Sequence, residues 1–149
     1  MNKTMKVIID ADACPKGVLS IAQNTCLEYG LELWTVANFN HNIRSEHHIT
    51  VGNSSQEADI EIMNITKSGD IVVTQDWGLA AMVLAKGAGA ISPTGRIFQA
   101  ATIDFLLEER EIKAKHRRTG GRTKGPQKRK LLDDLQFHRE LVRLIDEMS

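Results

Sequence analysis

Cysteine is scarce in this chain of 149 residues: only Cys14 and Cys26 carry a thiol. Both fall on one expected helix and its N-terminal edge, about three turns apart, too far for a disulfide between them. Long apolar runs are missing too. The longest, Leu79 to Ala85, is far short of the ~18 residues of a membrane span, and Met1-Asn2-Lys3-Thr4 leads straight into a strand pattern without a signal-peptide core. These absences predict a soluble, cytoplasmic protein with no membrane partner. Aromatic residues make up 5% of the chain, and Phe98 and Phe105 near the basic segment are too few for a base-stacking platform. Net charge is absent as well, at a formal value of zero.

That zero conceals an uneven distribution. Ten of the nineteen lysines and arginines lie between Arg110 and Lys130, against the single acid Glu111, so the rest of the chain is acidic. One end is suited to meet an anion. With 42% hydrophobic and 26% charged residues, the length predicts one domain over residues 1–149, with a basic loop and C-terminal helix at about 110–149.

Short β-rich runs alternate with helical patterns, which predicts an α/β fold with a mostly parallel sheet of about five strands. Met5 to Ile9 is a continuous apolar run of the doubly buried kind. Pro15 stands where a first helical turn tolerates proline, and Val18, Ile21, Ala22, Thr25, Cys26 and Tyr29 form a stripe ending at Gly30. Leu31 to Ala37 and His48 to Val51 read as the next strands. Ser54-Ser55-Gln56-Glu57 fits a capping box opening a helix through Ile65. Ile71 to Thr74 reads as a fourth strand before a helix from Leu79 to Lys86, and Ala88 to Ser92 as a fifth. Ile103 to His116 reads as helix, and a Gly-rich basic loop from Thr119 to Gly125 leads to a last helix, expected to dock through Leu131, Leu135, Leu141, Leu144 and Ile145.

The chemistry gathers at strand ends. In open parallel sheets ligands bind outside the carboxyl ends of the strands, at the switch point. Asp10 and Asp12 follow the first strand and Asp76 the fourth, so neighbouring first and fourth strands would bring them together, with Asp59 projecting toward the same mouth. Clustered carboxylates repel unless one is protonated or a cation sits among them. An oxygen-only set without His or Cys favours Mg²⁺ or Mn²⁺, held by Asp10, Asp76 and Asp12, and the basic segment beside it points to phosphodiester chemistry. Blander roles fit the same residues. Asp12 and Asp76 stand where N-caps of the following helices fall, and Asp59 fits a surface helix position. His41, His47 and His48 fit a polar loop as well as a weak metal cluster. Cys14 lies near a helix N-terminus, which lowers a thiol pKa, but without a base nearby in sequence it reads as a small buried residue.

The segments "IIDADACP", "EADIEI", "GDIVVTQDWGLA", "AISPTGRIF" and "RRTGGRTKGP", in this order, resemble the YaiI/YqxD family of uncharacterised bacterial proteins, relatives of the PIN-like nucleases. The resemblance covers essentially the whole chain. It implies a PIN-like three-layer sandwich with strands one and four adjacent, and strand-end acids that bind Mg²⁺ or Mn²⁺ for RNA cleavage. Asp10 then matches the first-strand acid, Asp76 the acid after strand four, and Asp59 the helical acid, while Asp12 belongs to the narrower family motif. The further acid of that pattern is not matched at the end of strand five, where Ser92-Pro93-Thr94 stands instead.

The leading expectation is therefore a metal-dependent nuclease acting on RNA. Its catalytic residues would be Asp10, Asp12, Asp59 and Asp76, and its phosphate contacts Thr74, Gln75, Arg96, Arg117, Arg118 and Arg122. Two alternatives stand beside it. One is a nucleic-acid-binding or adaptor module without chemistry, suggested by the missing acid near Pro93. The other is a haloacid-dehalogenase-type phosphatase, in which Asp10-Ala11-Asp12 supplies nucleophile and general acid and Thr74 binds phosphate.

Overall fold

A computed structural model describes residues 5–38, 43, 45–101, 103, 111–112, 114–115 and 129–149. The basic loop, His41 and most of the helix expected at 103–116 lie outside the described residues. β1 (Lys6–Asp10) is followed by a 3-10 turn (Ala11–Ala13) and α1 (Lys16–Tyr29), then β2 (Glu32–Asn38), β3 (His47–Val51) and α2 (Ser55–Ile65). β4 (Ile71–Val73), α3 (Trp77–Ala85), β5 (Gly89–Ile91) and α4 (Leu131–Met148) complete the described elements. The five strands form one sheet in the order β3-β2-β1-β4-β5, and every pairing is parallel.

β1 lies at the centre, and Val7, Ile8 and Ile9 are fully buried. Its continuous apolar run follows from having both faces covered. Val7 and Ile9 pack with Val18, Ala22, Phe137 and Leu141 under α1 and α4, whereas Ile8 packs with Ile62, Leu79 and Val83 under α2 and α3. Each of these side chains larger than alanine contributes about 1.5–3 kcal/mol by leaving water. The result is a three-layer α/β architecture whose connections leave β1 and β4 toward opposite faces, so their carboxyl ends border the switch point.

Several local expectations change. Pro15 is the N-cap of α1 rather than part of its first turn, and no side chain caps that end. α2 begins at the expected place, but Ser54 makes no side-chain cap; the Glu57 amide donates instead to the Ser54 carbonyl at 3.1 Å. On α4, Leu131 and Leu135 are exposed, and Phe137 takes the inward role with Leu141, Leu144 and Ile145. The buried stripe of α4 runs 137, 141, 144, 145, and a helical period places 131 and 135 off it.

The amino end of the sheet is fastened by Asp70, which is 1% exposed. Its carboxylate accepts from the Lys6 ammonium, the Lys6 amide and the Lys67 amide, tying β1 to the start of β4.

Candidate functional site

Register places the acids. Ile9 pairs with Val73, so the residues that follow, Asp10 and Thr74, stand side by side at the carboxyl ends of β1 and β4. Thr74 is buried; its amide extends the sheet by donating to the Ile91 carbonyl at 3.0 Å. Its hydroxyl donates to Asp10 Oδ2 at 2.9 Å and accepts the Asp76 amide at 3.0 Å. The hydroxyl expected to meet a substrate phosphate is thus committed to holding Asp10.

Asp76 is the N-cap of α3, with Oδ1 accepting from the Gly78 and Leu79 amides at 2.9 and 3.2 Å. Asp12 does not cap α1. Asp10 pairs with Val36 in the sheet, and Asp12 lies level with Asn38, whose amide donates to both Asp12 oxygens at 2.9 and 3.2 Å. Sequence reasoning missed Asn38, because a backbone donor leaves no mark on side-chain identity. Asp59 reaches the same mouth from α2 and shares a hydrogen bond with Asp76.

Burial and the neighbouring carboxylates bear on Asp10 and Asp59. The Asp10 pKa is pushed up to about 6, chiefly by burial. The Thr74 hydrogen bond lowers it, whereas the charges of Asp59, Asp12 and Asp76 raise it further. Asp59 is also raised, first by burial, then by the charge of Asp76 and by the hydrogen bond they share. A neighbouring negative charge disfavours ionisation of Asp59, which adds to the effect of burial in the same direction. Cys14, beside them, is pushed up to about 12 by burial, against the opposing influence of Arg129, so it is no activated thiol.

Among the described residues, no group of three or more His, Cys, Asp or Glu side chains is arranged to hold a metal ion. The donor chemistry still suits a hard divalent cation that takes one or two carboxylate oxygens and completes its shell with water or phosphate, as Mg²⁺ commonly does. A dedicated protein cage is what the arrangement lacks.

At the rim, Gln75 is exposed after β4, and Arg96 is exposed in the loop after β5. Within that loop the Arg96 amide donates to Ser92 Oγ and the Ser92 amide to the Arg96 carbonyl. Arg117, Arg118 and Arg122 lie outside the described residues. His47 and His48 belong to β3, where His47 stacks on Trp34 and His48 Nδ1 lies 2.7 Å from Thr35 Oγ1. No helix among the described residues is long and apolar enough to cross a membrane.

The chain is similar along nearly its whole length to known bacterial sequences. A "UPF0178 protein" of Heliobacterium modesticaldum is 50% identical over 145 residues, covering 97% of this chain and 99% of the relative. One from Clostridium kluyveri is 44% identical over 143 residues, covering 95% and 93%. One from Exiguobacterium sibiricum is 43% identical over 147 residues, covering 97% and 99%. The family profile described as "Uncharacterized BCR, YaiI/YqxD family" matches residues 8–147, and the chain belongs to that family.

Proposed function

We propose that the protein hydrolyses phosphodiester bonds, in RNA, with Mg²⁺ or Mn²⁺ bound at the carboxyl ends of β1 and β4. The observation that carries this reading is the gathering of Asp10, Asp12 and Asp76 at the carboxyl ends of β1 and β4, with Thr74 bridging Asp10 and Asp76, and with Asp59 near enough that its charge also raises Asp10. A cation would relieve the repulsion that raises Asp10. When bound, a divalent ion supplies charge neutralisation at phosphate and a water of lowered pKa.

Asp10 and Asp76 would hold the ion. Thr74 aims Asp10, and the Asn38 amide fixes Asp12 as a supporting or water-orienting group. Asp59 would take the proton of the attacking water as its oxygen bonds to phosphorus and the bond to the leaving sugar oxygen breaks. A proton then returns to that leaving oxygen. Arg96 and Gln75 on the rim, with Arg117, Arg118 and Arg122, would hold the flanking phosphates.

A second reading, nucleic-acid binding without turnover, draws on the absence of a three-carboxylate cage among the described residues and on Ser92 standing after β5. The phosphatase reading finds less support, because the Thr74 hydroxyl it needs for phosphate donates to Asp10 and accepts the Asp76 amide, and both oxygens of Asp12 accept from the Asn38 amide.

Incubating labelled single-stranded RNA with wild type and Asp10→Asn, in Mn²⁺ and in EDTA, tests the proposal. Cleavage that requires Mn²⁺ and falls at least about 100-fold in Asp10→Asn supports it. Metal-independent binding without cleavage, weakening steeply with salt, would replace it with the binding module.

A further inference from the structure

The next-to-last residue of the basic segment has an unusual placement. Arg129 precedes α4 and its side chain is only 21% exposed. Nε donates to Asp134 Oδ1 at 2.8 Å, and Nη2 lies 2.6 Å from the same oxygen, off hydrogen-bond alignment and with no other partner. Nη1 donates to the Pro93 carbonyl at 2.8 Å, in the loop that follows β5. Asp134 in turn lies over the first turn of α1, where a Cβ on Gly17 would stand 3.1 Å from Oδ1. One guanidinium therefore joins the start of α4 to the β5 loop, and its own anchor rests on α1.

A second contact fixes the same loop. Gly95 has φ +93°, and a Cβ there would stand 2.9 Å from the Gln136 carbonyl oxygen of α4. The loop is thus held against α4 at both Pro93 and Gly95. Between them and Arg96 run the bonds from the Gly95 amide to the Ser92 carbonyl and from the Arg96 amide to Ser92 Oγ. The carboxylate site is close by, since the loop leaves the carboxyl end of β5, where the Ile91 carbonyl accepts the amide of Thr74, the residue that holds Asp10.

We propose that Arg129 is a positioning residue, which holds the Ser92–Arg96 loop at the rim of the carboxylate site and thereby places Arg96 for phosphate; the inference rests on the nucleic-acid reading above. Arg129 is a poor direct ligand for phosphate because its fork is occupied by Asp134 and Pro93. Charge alone does not explain the arrangement, since Asp134 and Pro93 are met at once by two nitrogens of one planar fork, which lysine lacks.

The test compares wild type with R129K, G95A, R96Q and the double variant R129K/R96Q. Amide hydrogen exchange is followed at Gly95, Arg96 and, as a control in the sheet, Val72; binding of a labelled single-stranded RNA is measured in parallel at low salt. Expected are exchange about tenfold faster at Gly95 and Arg96 in R129K with Val72 unchanged, and RNA affinity lowered about fivefold in both R129K and R96Q. The double variant should bind no more weakly than R96Q alone. G95A, which alters no charge, should reproduce the R129K behaviour. Unchanged loop exchange in R129K overturns the inference, as does an additive loss in the double variant, which would mean that Arg129 meets nucleic acid itself. If wild type binds no RNA, the nucleic-acid reading fails, and the exchange rates alone decide whether Arg129 positions the loop.

Discussion

The Thr74 hydroxyl stands between two aspartates, donating to Asp10 Oδ2 at 2.9 Å and accepting the Asp76 amide at 3.0 Å. It couples the end of β1 to the start of α3. Thr74→Val preserves shape but leaves the Asp76 amide without this acceptor and Asp10 without this donor. Since that donor lowers the Asp10 pKa, the variant should titrate Asp10 above about 6 and lose about 1–3 kcal/mol of stability. Carbon-13 NMR of the Asp10 carboxyl and urea denaturation measure the two effects. Thr74→Ser should restore both.

Asp10 itself should reduce stability at neutral pH in metal-free protein. Its folded pKa of about 6 lies above the ordinary 3.8, so the folded chain holds the proton more tightly than the unfolded one. That contribution is fully present below the unfolded value and is lost as pH rises through the folded one. Asp10→Asn, whose amide oxygen can still accept from Thr74, should therefore be more stable than wild type by about 2 kcal/mol at pH 7.5, with the gap closing toward pH 4. Urea midpoints in EDTA across this range provide the check; a constant gap would contradict it.

Mn²⁺ should reverse the order of the same pair. A cation among the carboxylates stabilises the folded state by mass action, by about 2.7 kcal/mol at a hundredfold excess over Kd. Thermal melting of wild type in Mn²⁺ should rise accordingly, and that of an Asp10→Asn, Asp76→Asn variant should not. Equal shifts in both proteins would place the metal elsewhere.

Asp70 should matter more for stability than any acid at the opposite edge. Removing it in Asp70→Ala leaves the Lys6 ammonium, 12% exposed, without its carboxylate and takes an acceptor from two amides. A loss of about 3–5 kcal/mol is expected, read from denaturant unfolding.

The leucines of α4 offer a control on packing. Phe137→Ala should cost about 3–5 kcal/mol, because Phe137 is fully buried in the α1/α4 layer. Leu131→Ala, at a position 74% exposed, should change stability by no more than about 0.5 kcal/mol. Unfolding of the two variants side by side separates the stripe that docks from the residues outside it.

The sequence by itself determined the alternation of strands and helices, because apolar periodicity and doubly buried runs such as Val7-Ile8-Ile9 are local properties of the chain. It also marked Asp10 and Asp76 as strand-end acids, and it offered both Asp12 and Asp76 as caps, of which only Asp76 is one, its side chain meeting amides two and three residues away. Only the tertiary structure decided which partners those acids meet. Asp12 is held by the amide of Asn38 across a sheet pairing, and Arg129 reaches Pro93 across 36 positions of chain. The physical reason is common to both. Backbone amides and carbonyls occur at nearly every residue, so which one a side chain meets depends on strand order and helix placement, information that no local pattern contains.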